Sequence, residues 1–255
     1  MRIGQILSFK YLKRYYAARF ISNFGNGMSP VALAFGILHL KNGSPTLLGW
    51  VLGSATISML IVAPFGGVIA DKFGRVRMAG IADTWGSLGL FVQAIFFIKG
   101  DVPLWVMLVA NINFGIMWGI FWPANAGITP SLVPEENLQQ ANAFANFFTN
   151  SSVIFGAAMA GFLVSQFGAG WALLIDASTF LISGILVLSF SPFVHAKSES
   201  EHSMLHDLKD GWKVFLSYRW IVVEVAGFSM IVMAWAWGEN VLGPLIALKH
   251  FNGAK

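Results

Sequence analysis

The chain has no cysteine among its 255 residues. Disulfides, thiolate metal ligands and a cysteine nucleophile are therefore excluded. Charge is nearly as scarce. Asp, Glu, Lys and Arg together make up 11% of the sequence, where a soluble domain carries about 25%. No phosphate-binding loop of the form G-x-x-x-x-G-K-[ST] occurs, which excludes an ATP-driven engine within this chain. Long apolar stretches contain no Ser/His, Cys/His or metal-spaced constellation, so no catalytic centre and no cofactor are expected. The five histidines are scattered. His39 and His250 fall at the ends of apolar runs, and His195, His202 and His206 lie in a polar stretch without the company a metal site needs.

What is present is apolar. Hydrophobic residues make up 56% and mean hydropathy is +0.67. A membrane-crossing helix needs about 20 mostly apolar residues. Seven such runs are expected at approximately 15–40, 46–70, 78–98, 103–128, 141–167, 171–190 and 220–248. They are too long for barrel strands and lack alternation of period two, so an all-α integral membrane fold follows. The first run is too long for a signal-peptide core and no small-x-small cleavage site follows it.

Basic residues give an orientation. Arg2, Lys10, Lys13, Arg14, Arg19, Lys72, Arg75, Arg77, Lys197, Lys209, Lys213 and Arg219 share one side, while Lys41, Lys99, Lys249 and Lys255 take the other. By the positive-inside rule the N-terminus is expected in the cytoplasm of a multi-pass cell-membrane protein. The net charge of +4 then reflects topology, not an affinity for nucleic acid. Residues 1–14 read as a basic cytoplasmic lead, 15–190 as a six-helix bundle, and 191–219 as a cytoplasmic linker. Residues 220–255 hold the seventh span and the end of the chain. Short connections predict that sequential helices are antiparallel neighbours. Within the linker, Met204, Leu205, Leu208, Trp212, Phe215 and Leu216 recur at helical spacing, which predicts an interfacial amphipathic helix.

Between the second and third runs stands Gly67-Val68-Ile69-Ala70-Asp71-Lys72-Phe73-Gly74-Arg75-Val76-Arg77. Its pattern, G-x-x-x-D-[RK]-x-G-[RK]-x-[RK], resembles the signature loop of major facilitator superfamily transporters. Gly67 is expected to let one helix end lie against a neighbour, and Gly74 to supply the backbone freedom of a short turn. Asp71 can accept hydrogen bonds or face a positive helix end. Lys72, Arg75 and Arg77 hold the loop on the cytoplasmic side and can pair with acids in a gate.

Three further stretches are similar to the drug-exporter branch that includes macrolide-efflux and siderophore-export proteins. They are Phe121-Trp122-Pro123-Ala124 with Pro130-Ser131-Leu132-Val133-Pro134, Ile175-Asp176-Ala177-Ser178-Thr179-Phe180, and Glu239-Asn240-Val241-Leu242-Gly243-Pro244. The resemblance implies twelve helices in two six-helix halves, of which this chain looks like the first seven, a truncated product that needs a C-terminal half. It also implies an inner inverted repeat relating spans one to three with spans four to six. Asn23-Phe24-Gly25 and Asn113-Phe114-Gly115 are a faint echo of it. Two departures weaken proton-driven antiport as an inference from motifs: no base lies in 111–122, and Ala157 stands where antiporters often have Gly-Pro.

Polar groups inside the apolar runs are the candidate site. An ionisable side chain at the bilayer centre costs about 2.5–3.5 kcal/mol on insertion scales, so it faces a cavity or a partner. Glu239, on a stripe with Glu224, Phe228, Ile231 and Trp235, is either a path-lining proton carrier or an acid solvated at the outer face. Arg19, Asn23, Asn26 and Pro30 share one face of span one, as Asn111, Gly115, Trp118, Trp122 and Asn125 do on span four. Both stripes fit either a substrate cavity or interhelical hydrogen-bond glue. Asn142, Asn146 and Asn150 on span five are read as glue, and Asp176 as structural. Asp83 is placed to neutralise Arg19 or Arg77 as an ion-pair lock. The function expected from residues and resemblance together is a secondary transporter exporting amphiphilic small molecules across a lipid bilayer, with protons as a coupling ion. A seven-helix receptor or a structural membrane fragment is the alternative.

Overall fold

The computed structural model describes residues 9, 11–194 and 204–250, leaving aside the side chains of 193, 204–208, 210, 237, 239, 240 and 248–250. Every regular element among the described residues is helical. The bundle comprises α1 (Leu12–Leu38), α2 (Pro45–Phe73), α3 (Arg75–Lys99), α4 (Leu104–Ala126), α5 (Leu138–Phe167) and α6 (Ala169–Phe190). A short helical turn, Ile128–Leu132, joins α4 to α5. Beyond the bundle come α7 (Met204–Ser217), α8 (Arg219–Trp237), a π-helical turn at Gly238–Leu242, and α9 (Gly243–His250).

Local chemistry sets the helix ends. Ser44 caps α2 by accepting the Leu47 amide at 3.1 Å, with Pro45 filling the first helical position, where its missing N–H is harmless. A single residue, Gly74, separates α2 from α3, and its φ of +94° lies where a side chain is strained. The expected seventh span of 220–248 is not one continuous α-helix. Pro244 has no N–H to donate back to Asn240, and the widened Gly238–Leu242 turn interrupts the ladder just before it.

Among the described residues, six helices are long and apolar enough to cross a membrane, against the seven expected; α1 is not among them. It is long enough at 27 residues, but Arg19, Ser22, Asn23, Asn26 and Ser29 dilute its apolarity. Its contacts nevertheless follow α5 and α6 along their length. Tyr16 donates to the Ala141 carbonyl near one end, and Gly36 abuts Ala169 near the other. The helix therefore traverses the same thickness as its neighbours, shielded by them.

With the exception of α3 and α4, sequential helices are not the main partners, contrary to the expectation from short loops. The large interfaces pair α2 with α4, α3 with α6, α1 with both α5 and α6, and α3 with α4. In lipid, close backbone approach at small residues selects partners, and loop length does not. The pattern maps onto itself when α1, α2 and α3 are exchanged with α4, α5 and α6. A Cβ on Gly27 of α1 would strike the Val153 carbonyl of α5, just as one on Gly115 of α4 would strike Ala55 of α2. Gly156 on the Phe24 carbonyl and Gly66 on the Gly119 carbonyl form the second matched pair. The Asn23-Phe24-Gly25 echo does not follow this exchange, because Gly25 packs on Asp176 and Thr179 of α6 whereas Gly115 packs on α2.

Two apolar clusters fill the bundle. One, around Leu12, Tyr16, Ala70, Phe121 and Phe190, lies toward the Asp71 loop, here called the loop end. The other, around Ala32, Ile37, Leu48, Met107 and Leu173, lies toward the far end.

Candidate functional site

Between α1, α4 and α5, at the loop end, lies a chamber of about 450 Å³. Arg19, Asn23 and Asn26 line it from α1, Trp118, Trp122 and Asn125 from α4, and Asn142, Asn146 and Thr149 from α5. These are the faces that the sequence stripes mark. The α5 amides depart from their reading as glue: Asn142 and Asn146 line the chamber, and only Asn150 is tied to its own helix, donating to the Asn146 carbonyl at 2.9 Å. Across the chamber Asn23 donates to the Thr149 hydroxyl at 3.1 Å, and Tyr15 donates to the Asn125 side-chain oxygen.

A second chamber of about 550 Å³ opens toward the far end, among α1, α2, α4 and the segment from α8 to the π-turn. Pro30, Leu33, Leu52, Met59, Phe114, Met233 and Val241 make its wall mostly apolar. Trp118 borders both chambers. Its ring sits 5.3 Å from Phe114 and 5.6 Å from Trp122, forming a column at i, i+4 and i+8 along α4.

The floor of the loop-end chamber holds a buried ion pair. Arg19 of α1 donates to Asp83 of α3, and the same nitrogen donates to the Ser183 hydroxyl of α6 at 2.5 Å. Ser183 in turn donates to Asp83 at 2.8 Å. The Arg19 guanidinium lies 4.4 Å from the Phe121 ring centroid, a cation–π contact with α4. Its Nε and the second Asp83 oxygen have no partner among the described residues. The cluster therefore joins four helices around one neutralised charge pair. Asp83 takes Arg19 and not Arg77, which lines a surface pocket with Phe73 and Ser191.

The signature loop is tied to itself. Asp71 accepts a hydrogen bond from Arg75 Nε at 2.7 Å, with both side chains about half exposed. The Arg75 guanidinium also lies on Gly127, at the C-terminal end of α4, where a cation suits the helix dipole. The role expected of Gly67 belongs to its neighbour. A Cβ on Gly67 would make only an ordinary contact with Pro123 at 3.7 Å, while Gly66 takes the close approach to α4. Lys72 is exposed beside the Phe73 ring.

One expected path residue, Trp235, is not among those that line the chambers. Trp235 is 67% exposed, as are its stripe partners Phe228 and Ile231 at 66% each, because Met233, Ala236 and Val241 turn the other face of the segment to the far-end chamber. The side chain of Glu239 lies outside the described residues; its backbone belongs to the π-turn. Asp176 is fully buried against Gly25 of α1. Sequence reasoning missed the part of Ser183 in the ion pair and of Phe121 beneath Arg19. Neither carries a spacing signal, since the contacts join different helices.

The site is thus a bundle of apolar, membrane-length helices in which two chambers and a buried charge cluster sit within a pairing pattern that repeats between its halves. The model of the Major Facilitator Superfamily matches residues 15–253, and the chain belongs to that family. It is 27% identical over 250 residues to an uncharacterized MFS-type transporter, YfiS, of Bacillus subtilis, covering 96% of this chain and 58% of that protein. It is 24% identical over 208 residues to macrolide efflux protein A of Enterococcus faecalis, covering 80% and 64% of the two. With the lysophospholipid transporter LplT of Photorhabdus laumondii it shares 29% identity over 238 residues, covering 90% and 56%. The chain thus resembles the macrolide-efflux branch and spans about six tenths of the length of these relatives.

Proposed function

We propose that this chain forms one side of the path of an exporter for amphiphilic small molecules, working by alternating access with a second bundle across the chambers. The observation that carries the reading is the pairing of an amide-rich chamber with an apolar one along the same helices, α1 and α4. Such a wall binds varied molecules that have both a polar and an apolar part. The N-terminus and the 191–219 linker face the cytoplasm in this reading, so the Asp71 loop latches the cytoplasmic side. Gly67, Asp71, Lys72, Gly74, Arg75 and Arg77 make the latch, and the Arg19–Asp83 pair locks the bundle above it. Protons are the coupling ion, with Glu239 as the carrier.

The test uses proteoliposomes holding this chain with the second bundle of its transporter, an imposed pH gradient, and an uncharged fluorescent dye joined to an alkyl glucoside as the amphiphilic probe. Glu239→Gln keeps shape and hydrogen-bonding capacity but does not titrate. It is expected to abolish uphill movement of the dye while leaving downhill exchange within about twofold. Uphill transport with normal pH dependence in the variant would remove Glu239 from the coupling role. Absence of any dye movement by the unmodified protein would remove the exporter reading.

A further inference from the structure

The two chambers differ in how their polar groups are used. In the far-end chamber, Asn111 donates to its own helix at Met107 O (2.9 Å) and Thr56 to Leu52 O (3.2 Å). Those donors are taken up by backbone carbonyls, and most of the chamber's lining is apolar. In the loop-end chamber the amides of Asn26, Asn142 and Asn146 form no hydrogen bond among the described residues and border open space. The charge there is already neutralised, because Arg19 is paired with Asp83. Net charge on a ligand therefore finds no counter-charge in this chamber, whereas hydroxyl and amide groups find several partners.

Among the described residues, Trp118 stands at the one position shared by both linings. Phe114 and Trp122 hold it from the turn before and the turn after, and Phe114 is itself braced edge-on by Phe180 at 5.8 Å. A braced indole with a polar cavity on one side and an apolar cavity on the other is a fixed partition.

Resting on the amphiphile reading above, we propose that Trp118 is the specificity-determining divider of a two-chamber binding path. The ligand it selects is an amphiphile with an uncharged, hydroxyl- or amide-bearing head in the loop-end chamber and an alkyl or aryl body in the far-end chamber. The indole keeps the apolar chamber dry while the head is hydrated next door. Each chamber is within the roughly 300–1,000 Å³ range of small-molecule sites, so one ligand fills both only if it is elongated.

The experiment measures dissociation constants of the full 255-residue chain in lipid nanodiscs, with empty nanodiscs as the blank. The probes are hexyl, octyl and nonyl β-glucoside and the sulfates of the same chain lengths. Affinity of the unmodified protein for the glucosides is expected to rise by up to about fourfold per methylene, the value for full burial. The sulfates are expected to bind at least tenfold more weakly at equal chain length. Trp118→Ala merges the chambers and is expected to reduce the dependence on chain length by half or more. Trp118→Phe should keep it, and Trp118→Leu should fall between. Asn142→Ala is expected to weaken all glucosides equally, with the chain-length dependence intact. A Trp118→Ala or Trp118→Leu protein that binds the series with the original slope overturns the partition alone. Should the alanine variant not fold, the leucine variant decides. Sulfates that bind as well as glucosides overturn the uncharged-head assignment. No saturable binding of any probe by the unmodified protein overturns the amphiphile reading and the partition with it.

Discussion

Helices α1 and α8 invert the relation between polarity and burial that holds in water. The first carries Arg19, Ser22, Asn23, Asn26 and Ser29 and is among the most enclosed helices of the bundle. The second is apolar enough to cross a membrane, yet no part of its 219–236 span is buried. In water this arrangement would be unstable. In lipid the surroundings are as apolar as leucine, so a leucine gains nothing by turning inward. A guanidinium or an amide gains a great deal, because hydrocarbon offers it no hydrogen bond. The inside of this protein is therefore marked by what is polar and small.

Substitutions at three places sharpen that contrast, the ion pair, the glycine contacts and the outer face of α8, taken from the largest effect to the smallest. Arg19→Ala leaves Asp83 buried with Ser183 as its remaining hydrogen-bond partner. Breaking one member of a buried pair typically costs about 3–5 kcal/mol. The expected result is a large drop in the unfolding midpoint in detergent, much of it regained in the double variant Arg19→Met with Asp83→Leu. A midpoint unmoved by Arg19→Ala would mean that the pair contributes nothing to α1 packing.

Next comes Gly27→Val. Its side chain would occupy the place of the Val153 carbonyl, and α1 would have to part from α5. Overpacking of this kind costs about 1–3 kcal/mol, read in the same unfolding assay. The matched change on the other repeat, Gly115→Val, should give a similar loss, which tests the exchange of the two halves directly. The smallest effect is expected from Phe228→Ala on α8. Its ring is 66% exposed and packs on little, so bundle stability should move by less than about 0.5 kcal/mol. A loss above 1 kcal/mol would show that α8 supports the bundle through that face.

The same contrast explains which parts were legible in the sequence. The six spans of the bundle, a short turn helped by Gly74 and the chamber stripes on α1 and α4 follow from run length, glycine and the spacing of polar residues; that the helices run on to Phe73 and from Arg75, leaving one residue between them, does not. Helix α8 gave no signal for Met233 and Ala236, which border the far-end chamber. Apart from Glu224 and Ser229 the helix is apolar on every side beyond its first residue, and in lipid an apolar residue does not announce whether it meets a chamber or a lipid tail. Gly66 and Gly67 are adjacent, and composition does not say which one meets α4. The partners of α1 were missed because helix pairing depends on three-dimensional fit at Gly27, Gly66, Gly115 and Gly156, while loop length only sets which helices are consecutive. Ser183 joined the ion pair for a related reason, since nothing within α6 records what α3 presents to it.

The joint at Gly74 has a mechanical meaning. Phe73 is the last residue of α2 and Arg75 the first of α3, so no slack chain lies between them, and the Asp71–Arg75 bond straps the two ends together. Because α2 is seated on α4 and α3 on α6, a tilt imposed on one helix pair reaches the other through this elbow with almost no lost motion. Torque applied at the loop is thereby delivered to both sides of the bundle at once, as a crank turns two arms from one axle.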